Sequence, residues 1–149
     1  MHAGGRRFGV ALALATAGAL VLSACGGGGG GGNTPTSPTP SGSVPTVTIR
    51  SGGTLDPQEI RIEVGQAVRF VNEDSVSHHP QSNPHLTHTD CPAANVTVLS
   101  PGQSATTTAF NSVQACGYHD HMNPDTTRLH GTIRVGNSTG PSGPVYVQQ

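Results

Sequence analysis

The chain has 149 residues, with 21 glycines, 12 prolines, no tryptophan and a formal net charge of −1 at pH 7. Beyond residue 24 it carries five arginines against eight acidic residues, which excludes a nucleic-acid-binding protein because such a protein needs a basic surface. No lysine occurs anywhere in the chain, so Schiff-base chemistry and lysine bases are excluded as well.

Residues 1–24 have the features of an export signal. Two arginines precede an apolar run at residues 10–22, and that run is shorter than the about 20 residues that a membrane-spanning helix needs. It ends in the sequence LSAC, which resembles the lipobox of bacterial lipoproteins. We therefore predict a lipoprotein signal peptide over 1–24, lipidation of Cys25, and membrane anchoring of the mature protein in the periplasm or at the cell surface.

The segment after Cys25 is predicted to be a spacer. It reads GGGGGGGNTPTSPTPSGSVP, a glycine run followed by a Thr/Ser/Pro tract, and neither part can bury apolar surface. We assign residues 25–45 to this linker. Residues 46–136 are long enough for one small domain, and the polar, glycine-containing residues 137–149 are predicted to be a flexible tail.

Alternation of apolar and polar residues predicts strands throughout the domain. This period of two is typical of a sheet that is buried on one face. Turn residues separate the alternating runs, and no amphipathic helical pattern is present, so the predicted fold class is an all-β antiparallel sandwich of about seven strands. The runs are Val47/Ile49, Ile60/Ile62/Val64, Val68/Phe70, Val96/Val98 and Ile133/Val135.

The order of these segments resembles that of the cupredoxins. The stretch VTIRSGGTLDPQEIRIEVGQAVRFVNEDSVSHH is similar to the opening of a plastocyanin or pseudoazurin, in which Asn-x-Asp precedes the first copper-ligand histidine. Here those residues are Asn72, Asp74 and His78. LSPGQSATTTAF and HGTIRV resemble the family's penultimate hairpin and closing strand. The resemblance implies a Greek-key sandwich and copper binding, with His78 as a ligand.

The remaining blue-copper ligands are replaced when CGYHDHMNP is aligned with the family pattern through its tyrosine and proline. This register places Asp120 at the position of the copper-binding cysteine and Asn123 at that of the second histidine, with Leu129 near that of the methionine. A blue site requires a thiolate and two imidazoles. The register therefore predicts a site of another kind.

A rival register restores the blue-copper ligands. Cys116, His119 and Met122 would then supply the thiolate, the second imidazole and the thioether, with His78 as the fourth ligand. It leaves little room for a strand after Phe110, and it does not explain the tyrosine and the proline. Both registers stay open on the sequence alone.

Under the first register, Cys91 and Cys116 are predicted to form a disulfide. With Cys25 lipidated they are the only two cysteines left, and paired thiols persist as disulfides in an oxidising compartment.

Six of the seven histidines in the domain fall in two segments, HHPQSNPHLTHTDCP and YHDH. A disulfide would bring the two segments together, within about 6 Å between its Cα atoms. His119 and His121 are two residues apart, so in an extended segment they share one face, with Asp120 on the other.

Converging neutral imidazoles suit copper(II), with zinc as the alternative metal. We interpret His79 and His130 as bystanders. The alternative is a solvated end of the sandwich where histidines are merely tolerated. The predicted metal ligands are His78, His85, His88, His119 and His121.

The resulting hypothesis is a lipid-anchored, extracytoplasmic copper-binding protein that handles copper or transfers electrons, with a redox or copper-transfer protein as its partner. We favour this role over that of an enzyme. Two alternatives stay open, a type-2 copper enzyme acting on oxygen or superoxide, and a metal-free cupredoxin-like module that binds a partner.

Overall fold

Strands provide nearly all of the regular structure in the computed structural model, which describes residues 42–146. Two short 3₁₀ turns, Pro92–Ala94 and Thr127–Leu129, interrupt the loops. The strands are β1 (Thr46–Arg50), β2 (Thr54–Asp56), β3 (Glu59–Ile62), β4 (Arg69–Asn72), β5 (Pro80–Ser82), β6 (Ser104–Thr106), β7 (Gln114–Asp120) and β8 (Gly131–Val135).

The strands form two four-stranded sheets, with the orders β2-β1-β4-β6 and β3-β8-β7-β5. The predicted all-β sandwich is confirmed, with eight strands instead of about seven. The sheets are mixed, since β1 pairs with β4 and β3 with β8 in parallel. The parallel pairs arise because the chain leaves the first sheet at β3 and returns at β4, beside β1.

The core lies between the two sheets and consists of the inward-facing residues of the alternating runs. Val47 and Ile49 of β1, Phe70 of β4 and Ile133 of β8 are almost completely buried. The ring of Phe70 packs edge to face against the ring of Tyr118 in the opposite sheet, with 5.1 Å between the ring centroids. Burial of each such side chain stabilises the fold by about 1.5 to 3 kcal/mol.

The run Val96/Val98 was predicted to be a strand, and this prediction is wrong. The segment is extended but makes only an isolated bridge, between His78 and Leu99. A side chain takes one of the hydrogen bonds of Val96: Gln81 Nε2 donates to its carbonyl at 2.7 Å, while its N–H donates to the carbonyl of Pro80 at 3.3 Å. Both backbone groups are thus satisfied without a continuous ladder.

The chain beyond residue 136 makes hydrogen bonds to the second sheet. The backbone N–H of Gly117 donates to the carbonyl of Ser142 at 2.9 Å, and Arg134 donates to the carbonyl of Gly140 at 2.9 Å. Residues in the range 137–146 thus contact the domain because their carbonyls find donors there.

The signal peptide, Cys25 and linker residues 25–41 lie outside the described residues, as do residues 147–149. Within residues 42–146, no helix has the length and hydrophobicity of a membrane span.

Cys91 and Cys116 form a disulfide, as predicted, with their Cα atoms 5.6 Å apart. Both residues are buried. The rival register is therefore wrong, because a cysteine in a disulfide supplies no thiolate to a metal.

We expect the disulfide to contribute a large part of the domain's stability. It joins positions 25 residues apart, and in the chain-entropy description a loop of that size is worth about 3 to 4 kcal/mol of unfolding free energy. The double variant Cys91→Ala/Cys116→Ala should unfold at a markedly lower urea concentration, followed by circular dichroism. Peptide mapping without reduction checks the disulfide itself. Equal urea midpoints for the natural chain and the double variant would contradict the prediction.

Candidate metal centre

Strand β7 carries two different sets of side chains on its two faces, since successive residues of a strand point in opposite directions. On the inner face, Tyr118 packs against Phe70, and Asp120 contacts His78. On the outer face lie His119 and His121. The prediction that these two histidines share a face, with Asp120 on the other, is confirmed.

The outer-face histidines of β7 form a cluster with two histidines of the loop that follows β5. One ring nitrogen from each of the four lies within 4.8 Å of those of the others. His85 Nδ1 is 3.2 Å from His119 Nε2, and His88 Nε2 is 2.9 Å from His121 Nδ1. His119 is fully buried, whereas the other three are half-buried. We call His85, His88, His119 and His121 the four-histidine cluster.

The loop over residues 83–90 owes its shape to local hydrogen bonds. The N–H of His88 donates to the carbonyl of Pro84, and that of Asp90 donates to the carbonyl of Asn83, both at 2.9 Å. Leu86 and His88 have positive φ angles of 78° and 52°, which non-glycine residues rarely adopt. Such a conformation persists only where surrounding contacts impose it, so the loop holds its histidines in one fixed arrangement.

Two of the four rings have their protonation tautomers fixed by neighbours. His119 Nδ1 lies 2.9 Å from Asn83 Oδ1, and the amide orientation is set because Asn83 Nδ2 donates to the carbonyl of Gly143 at 3.0 Å. His88 Nδ1 lies 2.8 Å from the carbonyl oxygen of Ser82. Both acceptors require a proton on Nδ1, which leaves Nε2 of His119 and His88 with a free lone pair.

Two pairs of these nitrogens have the spacing of neighbouring ligands on one first-row metal ion. With metal–nitrogen bonds of about 2.0 to 2.1 Å, neighbouring ligands stand about 2.9 Å apart in a square plane and about 3.3 Å apart in a tetrahedron. The pairs His88 with His121, at 2.9 Å, and His85 with His119, at 3.2 Å, lie in that range. The hydrogen bonds from His119 to Asn83 and from His88 to Ser82 are the outer contacts that normally orient ligating histidines.

Electrostatics keep the cluster ready to bind a cation. Burial, and then the neighbouring imidazoles of His88 and His85, lower the pKa of His119 to about 4. Burial, with His121 and His88 next, also lowers the pKa of His85. Only the neutral imidazole can bind a metal, so the lowered pKa values extend the pH range in which both rings can act as ligands.

His78 was predicted to be a metal ligand, but the structure places it apart from the four-histidine cluster. It lies on the inner side of β7 with 1% of its surface exposed. Its Nδ1 is 2.9 Å from Asp120 Oδ2, and its Nε2 is 3.1 Å from Asp74 Oδ2. Both ring nitrogens are therefore occupied by carboxylates.

The two carboxylates are held in the ionised form. The backbone N–H of Ser75, and then His78, lower the pKa of Asp74. Burial opposes ionisation of Asp120, but hydrogen bonds from Asn123, the backbone N–H of His79 and His78 outweigh it and lower the pKa of that carboxyl. Both carboxylates are hydrogen-bond acceptors for His78, and neither of its ring nitrogens faces the four-histidine cluster.

The same contacts support the register in which the blue-copper ligands are replaced. Asp120 stands opposite His78, where the resemblance places a cysteine. Asn123, at the position of the second histidine, donates to Asp120 Oδ2 at 2.7 Å. Leu129 is buried in the core. A hydrogen-bonded histidine, carboxylate and amide thus occupy positions that the resemblance assigns to copper ligands.

Sequence reasoning missed the residues that support the four-histidine cluster. Asn83 and Ser82 orient two of the rings, and Asn95 Nδ2 donates to the carbonyl of His88 at 3.1 Å. The sequence SNPH contains two of these three residues directly before His85, but nothing in it shows which atoms they contact. His79, which lies 2.8 Å from Gln81 Nε2, and His130, 2.7 Å from the Pro124 carbonyl, lie outside the cluster.

Replacement of His78 by alanine should affect stability and leave metal binding intact. It would deprive two buried carboxylates of their shared donor, a loss that is destabilising in a protein interior. We expect the melting temperature to fall by more than about 5 °C, since about 4 to 8 °C corresponds to 1 kcal/mol in a domain of this size. His130→Ala serves as the matched control. Loss of copper binding with unchanged melting would instead identify His78 as a ligand.

Asn83 should control affinity through the orientation of His119. Asn83→Ala removes the acceptor for Nδ1–H, and loss of such an outer contact typically weakens metal binding about 10- to 100-fold. Asn83→Asp keeps an acceptor at the same place and should retain more of the affinity, measured by competition titration with a chelator. Equal affinities for Asn83→Ala and the natural chain would show that the ring needs no such support.

Comparison with known proteins identifies the fold of the domain. No protein-family model matches the sequence, and no curated protein matches it. A purple cupredoxin from Nitrosopumilus maritimus is similar in structure, with 23% identity, a TM-score of 0.50, and coverage of 62% of this chain and 99% of that one.

Two other solved structures show the same likeness. A mutant plastocyanin of fern has 17% identity and a TM-score of 0.50, with coverage of 61% of this chain and 99% of that one. An amicyanin mutant in its reduced Cu(I) form has 14% identity and a TM-score of 0.52, with coverage of 64% and 85%. Identities this low establish the fold alone, and the domain described here has the cupredoxin fold.

Proposed function

We propose that this protein binds one copper ion at the four-histidine cluster, outside the position of the blue-copper site, and that it handles copper outside the cytoplasm. The observation that carries the proposal is the convergence of four imidazole nitrogens within 4.8 Å. Two of those rings, His88 and His119, have their Nε2 lone pairs set by outer hydrogen bonds.

The donor set favours copper over other metals. Imidazole nitrogen suits copper, zinc and nickel, and a site of given ligands binds Cu²⁺ most tightly among the divalent first-row ions. The two pair distances lie between the two geometries: 2.9 Å for His88 with His121 matches a square plane, and 3.2 Å for His85 with His119 is near a tetrahedron, so the preference for copper rests on the ligand type. Zinc would take the same ligands in a tetrahedral arrangement.

Copper handling fits the ligands better than fast electron transfer does. Thiolate and thioether ligands select Cu(I), and the thiolate also gives blue sites their properties. In the part of the chain that the structure describes, both cysteines are joined in a disulfide, and the group that could hold a metal consists only of histidines. Nitrogen ligands alone favour the Cu(II) state, which suits storage, buffering or delivery of copper.

An extracytoplasmic location is part of the proposal. A structural disulfide such as Cys91–Cys116 persists in an oxidising compartment, and the signal sequence with its lipobox-like end would direct export and lipidation at Cys25. The glycine run and Thr/Ser/Pro tract would then separate the domain from the membrane. A copper-transfer or redox protein in that compartment is the proposed partner.

The test is copper loading of the purified protein, followed by metal analysis, optical absorption and electron paramagnetic resonance. We expect one copper per chain, a pale protein without the intense thiolate-to-copper band, and a Cu(II) spectrum with nitrogen couplings. His88→Ala and His121→Ala should each weaken binding at least about tenfold, and His130→Ala should leave it unchanged. A protein that takes up no copper would favour the metal-free binding module.

Copper should dissociate at a lower pH than the pKa of free histidine would suggest. Model imidazole titrates near pH 6.5, but the pKa of His119 is lowered to about 4 and that of His85 is also lowered. A lowered pKa means that the neutral, ligating form survives to lower pH. Copper should therefore stay bound to these two rings at pH values where model imidazole is protonated, measured by equilibrium dialysis across that range.

A further inference from the structure

The segment at residues 142–146, which we call the C-terminal strap, crosses the outer face of the second sheet beside the four-histidine cluster. Sequence patterns gave it no role. Its hydrogen bonds include one to Asn83 and one to His85, and both of these residues belong to the four-histidine cluster or orient one of its rings.

At its first contact the strap holds Asn83. The carbonyl of Ser142 accepts the N–H of Gly117 at 2.9 Å, and the carbonyl of Gly143 accepts Asn83 Nδ2 at 3.0 Å. The second bond fixes the orientation of the amide, so that Asn83 Oδ1 faces His119 Nδ1 at 2.9 Å. Without the carbonyl of Gly143, the amide of Asn83 could rotate and present its NH₂ group to the ring of His119.

At its second contact the strap holds His85. The backbone N–H of His85 donates to the carbonyl of Val145, and the ring of Tyr146 meets that of His85 edge to face at 5.5 Å between centroids. Tyr146 is anchored in turn, since its hydroxyl donates to Asp125 Oδ1 at 2.8 Å. His85 thus has its backbone and one side of its ring set by the strap.

Gly117 shows how closely the strap is seated. A Cβ atom at this position would overlap both the carbonyl oxygen of Ser142 and the amide Nδ2 of Asn83. Only glycine lets the strap and the amide lie against β7 at this point. Glycine at position 117 is therefore required for the strap to follow this path.

We propose that the C-terminal strap is a positioning element for the metal centre, orienting His119 through Asn83 and His85 through its backbone and ring. This inference rests on the proposed function, because it assigns the strap a part in the affinity of the same centre. The strap supplies no ligand. It acts by restricting two of the four ligands before a metal arrives, which reduces the ordering that binding must impose.

The test compares the full chain with two truncated chains, one ending at Gly140 and one at Tyr146. The Gly140 chain loses every strap contact, whereas the Tyr146 chain keeps all of them and is the matched control. We expect the Gly140 chain to bind Cu(II) about 10- to 100-fold more weakly, with the Tyr146 chain equal to the full chain. Equal affinity in all three chains would overturn the proposal.

A metal-free measurement separates this proposal from the proposed function. The amide of His85 lies outside the strands and bonds to the strap, so its hydrogen exchange should be slow in the full chain and fast in the Gly140 chain. The ring ¹⁵N signals of His119 should also lose their single Nδ1–H tautomer. If none of the chains binds copper, the proposed function fails, and these two signals alone decide the role of the strap.

Full-length variants cover the case in which the Gly140 chain does not fold. Gly117→Ala should displace the strap and weaken copper binding by a similar factor, and Tyr146→Ala should free the ring of His85. Tyr146→Phe, which loses only the bond to Asp125, should have the smaller effect. Natural affinity in both alanine variants would again overturn the proposal.

Discussion

Both groups of functional residues depend on the alternation of side chains along β7. Because successive residues point to opposite faces, Asp120 faces His78 inside the sandwich while His119 and His121, on either side of it, lie on the outer face. Pairing with β5 on one side and β8 on the other holds that register. A slip of one residue would exchange the two sets, moving imidazoles into the core and a carboxylate to the metal centre.

The inner set explains why a metal centre would lie outside the sandwich in this protein. Asp74 and Asp120 each face one ring nitrogen of the buried His78. Both nitrogens are therefore engaged by carboxylates, and neither points to the outer face of β7. A metal would then need other imidazoles. On the outer side of β7, the loop over residues 83–90 brings His85 and His88 beside His119 and His121.

Local pattern predicted the sandwich, the pairing of Cys91 with Cys116 and the shared face of His119 and His121, because side-chain alternation and the number of cysteines are properties of the sequence itself. It did not give the contacts of His78. One of its partners, Asp74, is four residues away, but the other, Asp120, is 42 positions away. The strap was missed because its partners are distant in sequence, and because its two apolar residues, Val145 and Tyr146, are too few to form a recognisable pattern.

The loop over residues 83–90 is held at both ends by features that need no metal. At one end the β5–β7 ladder pairs Gln81 with His119, and at the other the disulfide ties Cys91 to Cys116. His88 and His119 each lie three residues from a bridging cysteine, so neither can move far. Small metallo-domains whose ligands come together only with the metal are unfolded without it. Here the framework precedes the ion, and any stabilisation by copper adds to an existing fold through mass action.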